Sequence, residues 1–309
     1  MSVLGLGTMG LRHVRVLAGL PEAFELVGAF DVADDVQVPD YVGRLASEED
    51  AIRLSDAIVV ATPIEAHAEA VARALAAGRH VLVEKPLCDD AAHAEVLLDA
   101  SSRSGARLFV GHSERFNPVV RALARLLHGE RPLAIDLRRV GPSRSIPQGV
   151  LLNLGVHDLD LACYLGGGDL VVRSALGEPV DGPGQDFAHV LFETSSGGVG
   201  HIHVDGTRAV KERRLEIVTS RWVYEGDLLA HRLFRTARSG GPAKEVPLPV
   251  GEPLVAQALA FAAAMSGSPG NELASGADGA RAVRLAEAAA RCSRDACSTA
   301  EKLSLRVRP

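Results

Sequence analysis

The chain has 309 residues, a formal charge of −6, and 47% hydrophobic against 23% charged residues. That is enough apolar sequence for a large core and, by length, about two domains. An acidic balance without a basic run excludes nucleic acid and anionic membrane surfaces as partners, and no apolar run approaches the roughly 20 residues a bilayer span needs. No charged-then-apolar leader is present, and the four cysteines (Cys88, Cys163, Cys292, Cys297) lack Cys-x-x-Cys or zinc-site spacing. A cytoplasmic protein with ordinary thiols and no metal is expected.

Val3-Leu4 leads into Gly5-Leu6-Gly7-Thr8-Met9-Gly10, and a helical segment follows from Leu11 to Ala18. Strand, Gly-x-Gly-x-x-Gly and helix is the context of a dinucleotide fingerprint. Gly5 permits the tight turn, Gly7 lets the backbone approach a pyrophosphate, and Gly10 allows close helix–strand packing. The helix amino end attracts the phosphate charge. Few residues precede Gly5, so either the first strand is short for a central position or the native start lies upstream. Glu25 to Asp31 reads as the second strand, ending in an acid about 20 residues past the fingerprint, where ribose hydroxyls lie. Val32, Ala33, Asp34 and Asp35 bring no arginine or lysine to that point, so NAD is expected over NADP.

Asp56 to Ala61 is an apolar third strand closed by Thr62-Pro63, with a helix from about Ile64 to Ala77 and Gly78 as its stop. Ala61, Thr62 and Pro63 are counted with the cofactor side. So is His67, against the ordinary alternative of a histidine on a helix surface. The fourth strand, from His80, runs into Glu84-Lys85-Pro86. Proline cannot donate to a ladder, so the strand stops there, at the carboxyl end where ligands sit in an open α/β sheet. A lysine delivered to that crevice is a candidate for catalysis, since burial makes an ammonium a usable proton partner. A helix capped by Asp89 or Asp90 runs to about Ser104, and Arg107 to Gly111 is the fifth strand. Alternating strands and helices imply a doubly wound parallel sheet.

The second half turns to strands after a helix that ends near His128. Ala134–Val140, Leu170–Leu176, Ala188–Glu193, Val199–Val204, Arg213–Val218, Trp222–Glu225 and His231–Thr236 are candidates. Several alternate apolar and polar residues, as an antiparallel sheet with one covered face does. Between the first two, Val150 to Leu165 reads as a helix with Asn153, His157 and Asp160 on one face. A shared polar cavity is expected there. A metal is not, because Asp158 points away from the other two. His201 and His203 share a strand face and are expected at the surface. Two late Ala-rich helices, about Pro253–Ser266 and Ala277–Arg294, are packing elements.

Together these stretches resemble the Gfo/Idh/MocA family, named for glucose–fructose oxidoreductase, inositol dehydrogenase and a rhizopine-catabolism protein. The resemblance rests on Gly5 to Gly10, Ala61-Thr62-Pro63, Glu84-Lys85-Pro86, Gly111-His112-Ser113-Glu114-Arg115-Phe116-Asn117-Pro118, and Leu154 to Asp160. It implies a Rossmann domain (1–118, NAD-binding) followed by an α/β domain (119–309) whose open, mainly antiparallel sheet binds substrate and makes homodimer or homotetramer contacts. It implies hydride transfer between NAD or NADP and a sugar or cyclitol. Lys85 and the histidine His157 are then the catalytic pair. An aspartate usually stands four residues before that histidine, where this chain has Asn153. Asparagine can hydrogen-bond a hydroxyl but takes up no proton, so acid–base work falls on His157, with Lys85 assisting.

Arg139-Val140-Gly141-Pro142 and the run Lys211 to Leu215 look like the UDP-N-acetylglucosamine 3-dehydrogenase branch. Arg139, Arg144, Lys211 and Arg213 would suit a pyrophosphate, since guanidinium groups bind phosphate bidentately; ordinary surface positions are the equal alternative. Arg115 is counted with the substrate side. A nucleotide sugar is the favoured substrate, a cyclitol or free sugar the second reading, and a non-catalytic cofactor-binding regulator the third.

Overall fold

The computed structural model describes residues 1–309 except 144–146, 181–183, 269, 271 and 305–309, with side chains described up to residue 295. The chain divides into two compact units. The first takes in Met1–Phe116 and Gly251–Val283, the second Asn117–Val250 and Arg284–Pro309.

The first unit is wound from β1 (Ser2–Leu4), α1 (Thr8–Ala18), β2 (Gly28–Phe30), α2 (Glu48–Leu54), β3 (Ala57–Val60), α3 (Ile64–Ala76), β4 (His80–Glu84), α4 (Ala91–Ser104) and β5 (Leu108–Gly111). Its sheet runs β5-β4-β3-β1-β2, all parallel. The chain winds outward from β1 to β2 and then resumes at β3 on the other side, so the switch point of the sheet lies between the carboxyl ends of β1 and β3. β1 is central with only three residues because all three are buried and paired on both sides, Val3 with Ala29 and with Val59. β3 reads Ala-Ile-Val-Val and is buried throughout, the continuous apolar run of a strand covered on both faces.

Periodicity alone does not reveal α2, although Ser47-x-x-Asp50 is a capping signal: the Ser47 hydroxyl accepts the Asp50 N–H at 3.1 Å. The expected single boundary at 118 is corrected by the chain's return. In the second unit come α5 (Pro118–Leu126), β6 (Ala134–Val140), α6 (Val156–Gly166), β7 (Leu170–Glu178), β8 (Phe187–Thr194), β9 (Val199–Asp205), β10 (Glu212–Val218), β11 (Trp222–Asp227), β12 (Arg232–Ala237) and β13 (Lys244–Glu245). Then α7 (Pro253–Met265) and β14 (Ala274–Ser275) rejoin the first unit, and α8 (Gly276–Ser304) ends the chain. β14 adds antiparallel to β5, Ala274 opposite Val110. Phe261 of α7 meets Phe109 edge to face, with ring centroids 5.9 Å apart, a favoured aromatic geometry. A two-residue strand has no pattern of its own; long-range pairing makes it.

The second unit's sheet has the order β13-β12-β11-β10-β6-β9-β8-β7. Every pair is antiparallel except β6 with β9. Alternation decides the faces: Ile135, Leu137, Ile202, Val190 and Ile217 are buried, while Asp136, His189, Arg214 and Glu216 are exposed. Gly155 of the helical segment lies against β9, where an added Cβ would be in ordinary contact with Val204 Cγ1 at 3.5 Å. The fold is the mixed α/β architecture the sequence implies. No helix among the described residues is long and apolar enough to cross a membrane.

Candidate active site

In the first unit the glycine-rich loop is shaped by contacts no side chain would permit. Gly5 has φ +86°, and a Cβ there would lie 2.6 Å from the Ala61 carbonyl oxygen. The loops leaving β1 and β3 therefore touch at the switch point. A Cβ on Gly10 would come 1.8 Å from the Gly5 oxygen, whereas the space beside Gly7 is open. Gly7 caps α1 with no side-chain bond and no acid occupies the first turn, so the N–H groups of Thr8, Met9 and Gly10 present the helix's positive end. Asp31 accepts the Leu6 N–H at 2.6 Å and the Ala33 N–H at 2.9 Å, which leaves lone pairs on both oxygens. Thr62 Oγ1 is buried and makes no hydrogen bond among the described residues. An open cradle at Gly7, a helix amino end, a carboxylate at the end of β2 and this hydroxyl together fit a dinucleotide.

β4 delivers Glu84 and Lys85 to the same end of the sheet. Lys85 is half-buried, and the Lys85–Pro86 peptide is cis. Glu84 is buried, its Oε1 2.7 Å from His13 Nε2 of α1 and its Oε2 accepting the Lys85 N–H at 3.2 Å. Burial alone would push its pKa up, but the His13 hydrogen bond and charge, with Lys85, hold it below the ordinary carboxylate value. His67 is not on a helix surface: it is 2% exposed, with Nε2 2.9 Å from the Thr62 oxygen and Nδ1 2.8 Å from the Pro86 oxygen. Both ring nitrogens are taken by backbone, which corrects its reading as a cofactor contact. Arg115 is likewise 2% exposed and lies 3.5 Å from Asp278. It is a buried ion pair of the first unit and not the substrate contact expected of it.

In the second unit the segment carrying Asn153 and His157 departs from a plain α-helix. Leu151–Gly155 is a π-helical turn that runs into α6, a feature that recurs at functional sites. The wider turn shifts the helical phase of the residues after it. Asn153 and His157 are half-buried and Asp160 is 2% exposed, with His157 and Asp160 both inside α6. Asn153 Nδ2 donates to the Ser143 hydroxyl at 3.0 Å. Asp158 does point elsewhere, and its partner is Arg139: Nε and Nη2 donate to the carboxylate at 3.0–3.1 Å, with both residues 2% exposed. Arg139 is therefore committed to Asp158 and is not the phosphate ligand the sequence suggests. Lys211 is exposed, stacked against Gly141 at the end of β6. Arg144 lies outside the described residues.

The open face of this sheet holds a cavity of about 600 Å³ lined by Asp136, Arg138, His201, His203, Arg214 and Glu225. His203 is buried, contrary to expectation, and stacks on His189 with centroids 4.1 Å apart. Arg138 donates to His203 Nδ1 at 2.5 Å, which requires a lone pair on that nitrogen. Burial first, then His189 and Arg138, push the His203 pKa from 6.5 down to about 4. The unfolded chain takes up this proton near pH 6.5 and the native one only near 4. The stabilisation is therefore complete above about 6.5 and lost as pH falls toward 4. Urea midpoints across that range should fall with pH in the wild type and fall less in His203→Phe.

The family model described as "Oxidoreductase family, NAD-binding Rossmann fold" matches residues 1–112, and the model of the GFO/IDH/MocA C-terminal domain matches residues 124–225. The chain is 27% identical to UDP-N-acetylglucosamine 3-dehydrogenase of Acidithiobacillus ferrooxidans over 254 residues, 80% of this chain and 79% of that one. It is 31% identical to inositol 2-dehydrogenase of Streptomyces avermitilis over 222 residues, 66% of this chain and 65% of that one. A solved structure of the Acidithiobacillus enzyme superposes with a TM-score of 0.85 at 23% identity, covering 94% of this chain and 96% of that one, a likeness of fold. With both of its halves matched by models of one family, the chain belongs to the Gfo/Idh/MocA oxidoreductases, whose first domain is an NAD-binding Rossmann fold.

Proposed function

We propose that this protein is an NAD-dependent dehydrogenase acting on a CH–OH group of a sugar, with a nucleotide sugar as the favoured substrate. The observation that carries the reading is Lys85, delivered with a buried, ionised Glu84 to the carboxyl end of the strand next to the switch point. In oxidation His157 takes the hydroxyl proton, and Lys85 hydrogen-bonds the oxygen and stabilises its developing charge. Asn153, held by Ser143, orients the substrate without exchanging a proton. When bound, the nicotinamide supplies the hydride chemistry.

Likeness to the UDP-N-acetylglucosamine 3-dehydrogenase favours the nucleotide sugar. The burial of Arg139 removes one of its expected phosphate ligands and, with the inositol dehydrogenase likeness, favours a cyclitol as the second reading. The deciding experiment offers the purified protein NAD with UDP-N-acetylglucosamine, inositols and free sugars while absorbance of the reduced nicotinamide is followed. Reduction with UDP-N-acetylglucosamine alone supports the first reading and with an inositol alone the second. NAD binding without reduction by any of them favours a regulator. The open sheet face is the surface we propose for a homodimer or homotetramer. Cys88, Cys163 and Cys292 carry reduced thiols outside any disulfide, which suits the cytoplasm.

For the cofactor we propose NAD over NADP. A 2′-phosphate would set negative charge against Asp31, a repulsion of roughly 1–4 kcal/mol at a few ångströms. Arg44 is the basic residue nearest this loop in the hydrogen-bond network, and it is already engaged: it donates to the carbonyls of Val36, Asp31 and Ala33 at 2.8–3.1 Å. Calorimetric titration should give NAD a preference of about tenfold or more. Asp31→Ala should shrink that preference mainly by weakening NAD; equal affinities in the wild type would remove Asp31 from the ribose.

A further inference from the structure

We infer that His67 is a positioning residue that couples seating of the cofactor to the placement of Lys85. The inference rests on the dehydrogenase reading above. β3 and β4 are held together by their ladder as far as Val60 opposite Val83. Beyond it the two strands no longer pair with each other, although Ala61 still bonds Leu4 of β1 and Glu84 still pairs with Gly111 of β5; they then enter the Thr62-Pro63 loop on one side and the Lys85-Pro86 turn on the other. The register of β3 with β4 ends at Val60 and Val83, so no ladder bond between these two strands sets the distance between the two loops.

His67 stands where that bond is missing. It lies in the first turn of α3, directly after the Thr62-Pro63 loop, and its ring is 2% exposed. One nitrogen reaches the carbonyl of Thr62 at 2.9 Å and the other the carbonyl of Pro86 at 2.8 Å. A neutral imidazole donates one of these bonds and an imidazolium both. In either form the ring fills the space between the two loops. On the far side of the Thr62 loop the missing Cβ of Gly5 brings the glycine-rich loop against Ala61 and Thr62, where an added Cβ would lie 2.6–2.7 Å away. The glycine loop, Thr62, His67, Pro86 and Lys85 thus form one chain of direct contacts within the first unit. Closing the glycine loop on a dinucleotide presses on one end of it, and Lys85 is at the other. A contiguous chain of packed groups carries coupling only if both ends respond to the same event, and that is open to measurement.

The test compares wild type, His67→Phe, which approximates the ring volume and removes every hydrogen bond the imidazole donates, and His67→Gln, whose amide can restore one. In wild type, NAD should slow hydrogen exchange at the amides of Leu6 to Gly10 and also at Lys85, Leu87 and Cys88. In His67→Phe the first protection should persist and the second should be lost, with His67→Gln between them. Turnover should fall about 10–100-fold in His67→Phe, the scale of a misplacement near 1 Å, while the KM for the sugar changes little. Protection of Lys85 to Cys88 that survives in a folded His67→Phe protein overturns the coupling. If neither protein turns over any sugar, the exchange experiment still decides the role of His67, and the failure belongs to the dehydrogenase reading. If His67→Phe does not fold, His67→Gln carries the same comparison: wild-type protection together with wild-type turnover would dismiss the inference.

Discussion

Replacing Lys85 with alanine is expected to cut kcat by about 10²–10⁴-fold, the range a positioned acid–base group contributes. The fold and NAD affinity should stay close to wild type. The lysine is half-buried at the end of β4, so truncation leaves no large cavity in the core and no buried charge alone. Glu84 keeps its bond to His13, which comes from α1. The loss should appear at every pH, because alanine removes the group rather than shifting its titration. Steady-state kinetics beside a thermal melt and an NAD titration make the check. Near-normal turnover would take Lys85 out of the chemistry, and a lowered melting temperature would recast it as a structural residue.

Arg139→Met is expected to destabilise the second unit by roughly 3–5 kcal/mol, the cost of leaving a buried carboxylate without its partner. Surface ion pairs are worth far less, about 0–1 kcal/mol. Burial makes the difference: both Arg139 and Asp158 are 2% exposed, and two guanidinium nitrogens donate to the one carboxylate. The double variant Arg139→Met/Asp158→Leu should recover much of the loss, because it leaves neither charge alone and apolar pairs of similar volume replace such bridges well. Urea unfolding of the three proteins tests this. A phosphate-binding Arg139 would behave otherwise, raising the KM of a nucleotide sugar with little effect on stability and gaining nothing from the second substitution.

What the sequence determined by itself is what is written within short stretches. Gly5 and Gly10 announce a loop that only glycine permits, and both are used as their spacing implies, while the space beside Gly7 is open. The apolar run before Glu84-Lys85-Pro86 specifies a covered strand and its end. The alternation in Ala188–Glu193 and Arg213–Val218 specifies a sheet with one covered face. These are local rules of sterics and periodicity, legible without neighbours. The tertiary structure decided whatever depends on a distant partner. Arg139 reads as a phosphate ligand until Asp158, on the helix packed beneath its strand, takes it. His67 reads as a cofactor contact until the Thr62 and Pro86 carbonyls close on its ring. The π-turn before α6 separates Asn153 from the regular helix that carries His157 and Asp160. The segment 251–283 belongs to the first unit because Ala274 and Ser275 find the open edge of β5 and Phe261 finds Phe109. A charged or aromatic side chain has the same composition signal whether it faces solvent, a ligand or a buried partner. Which of these it meets is settled by packing, where an unpaired buried charge costs several kcal/mol and a solvated one costs almost nothing.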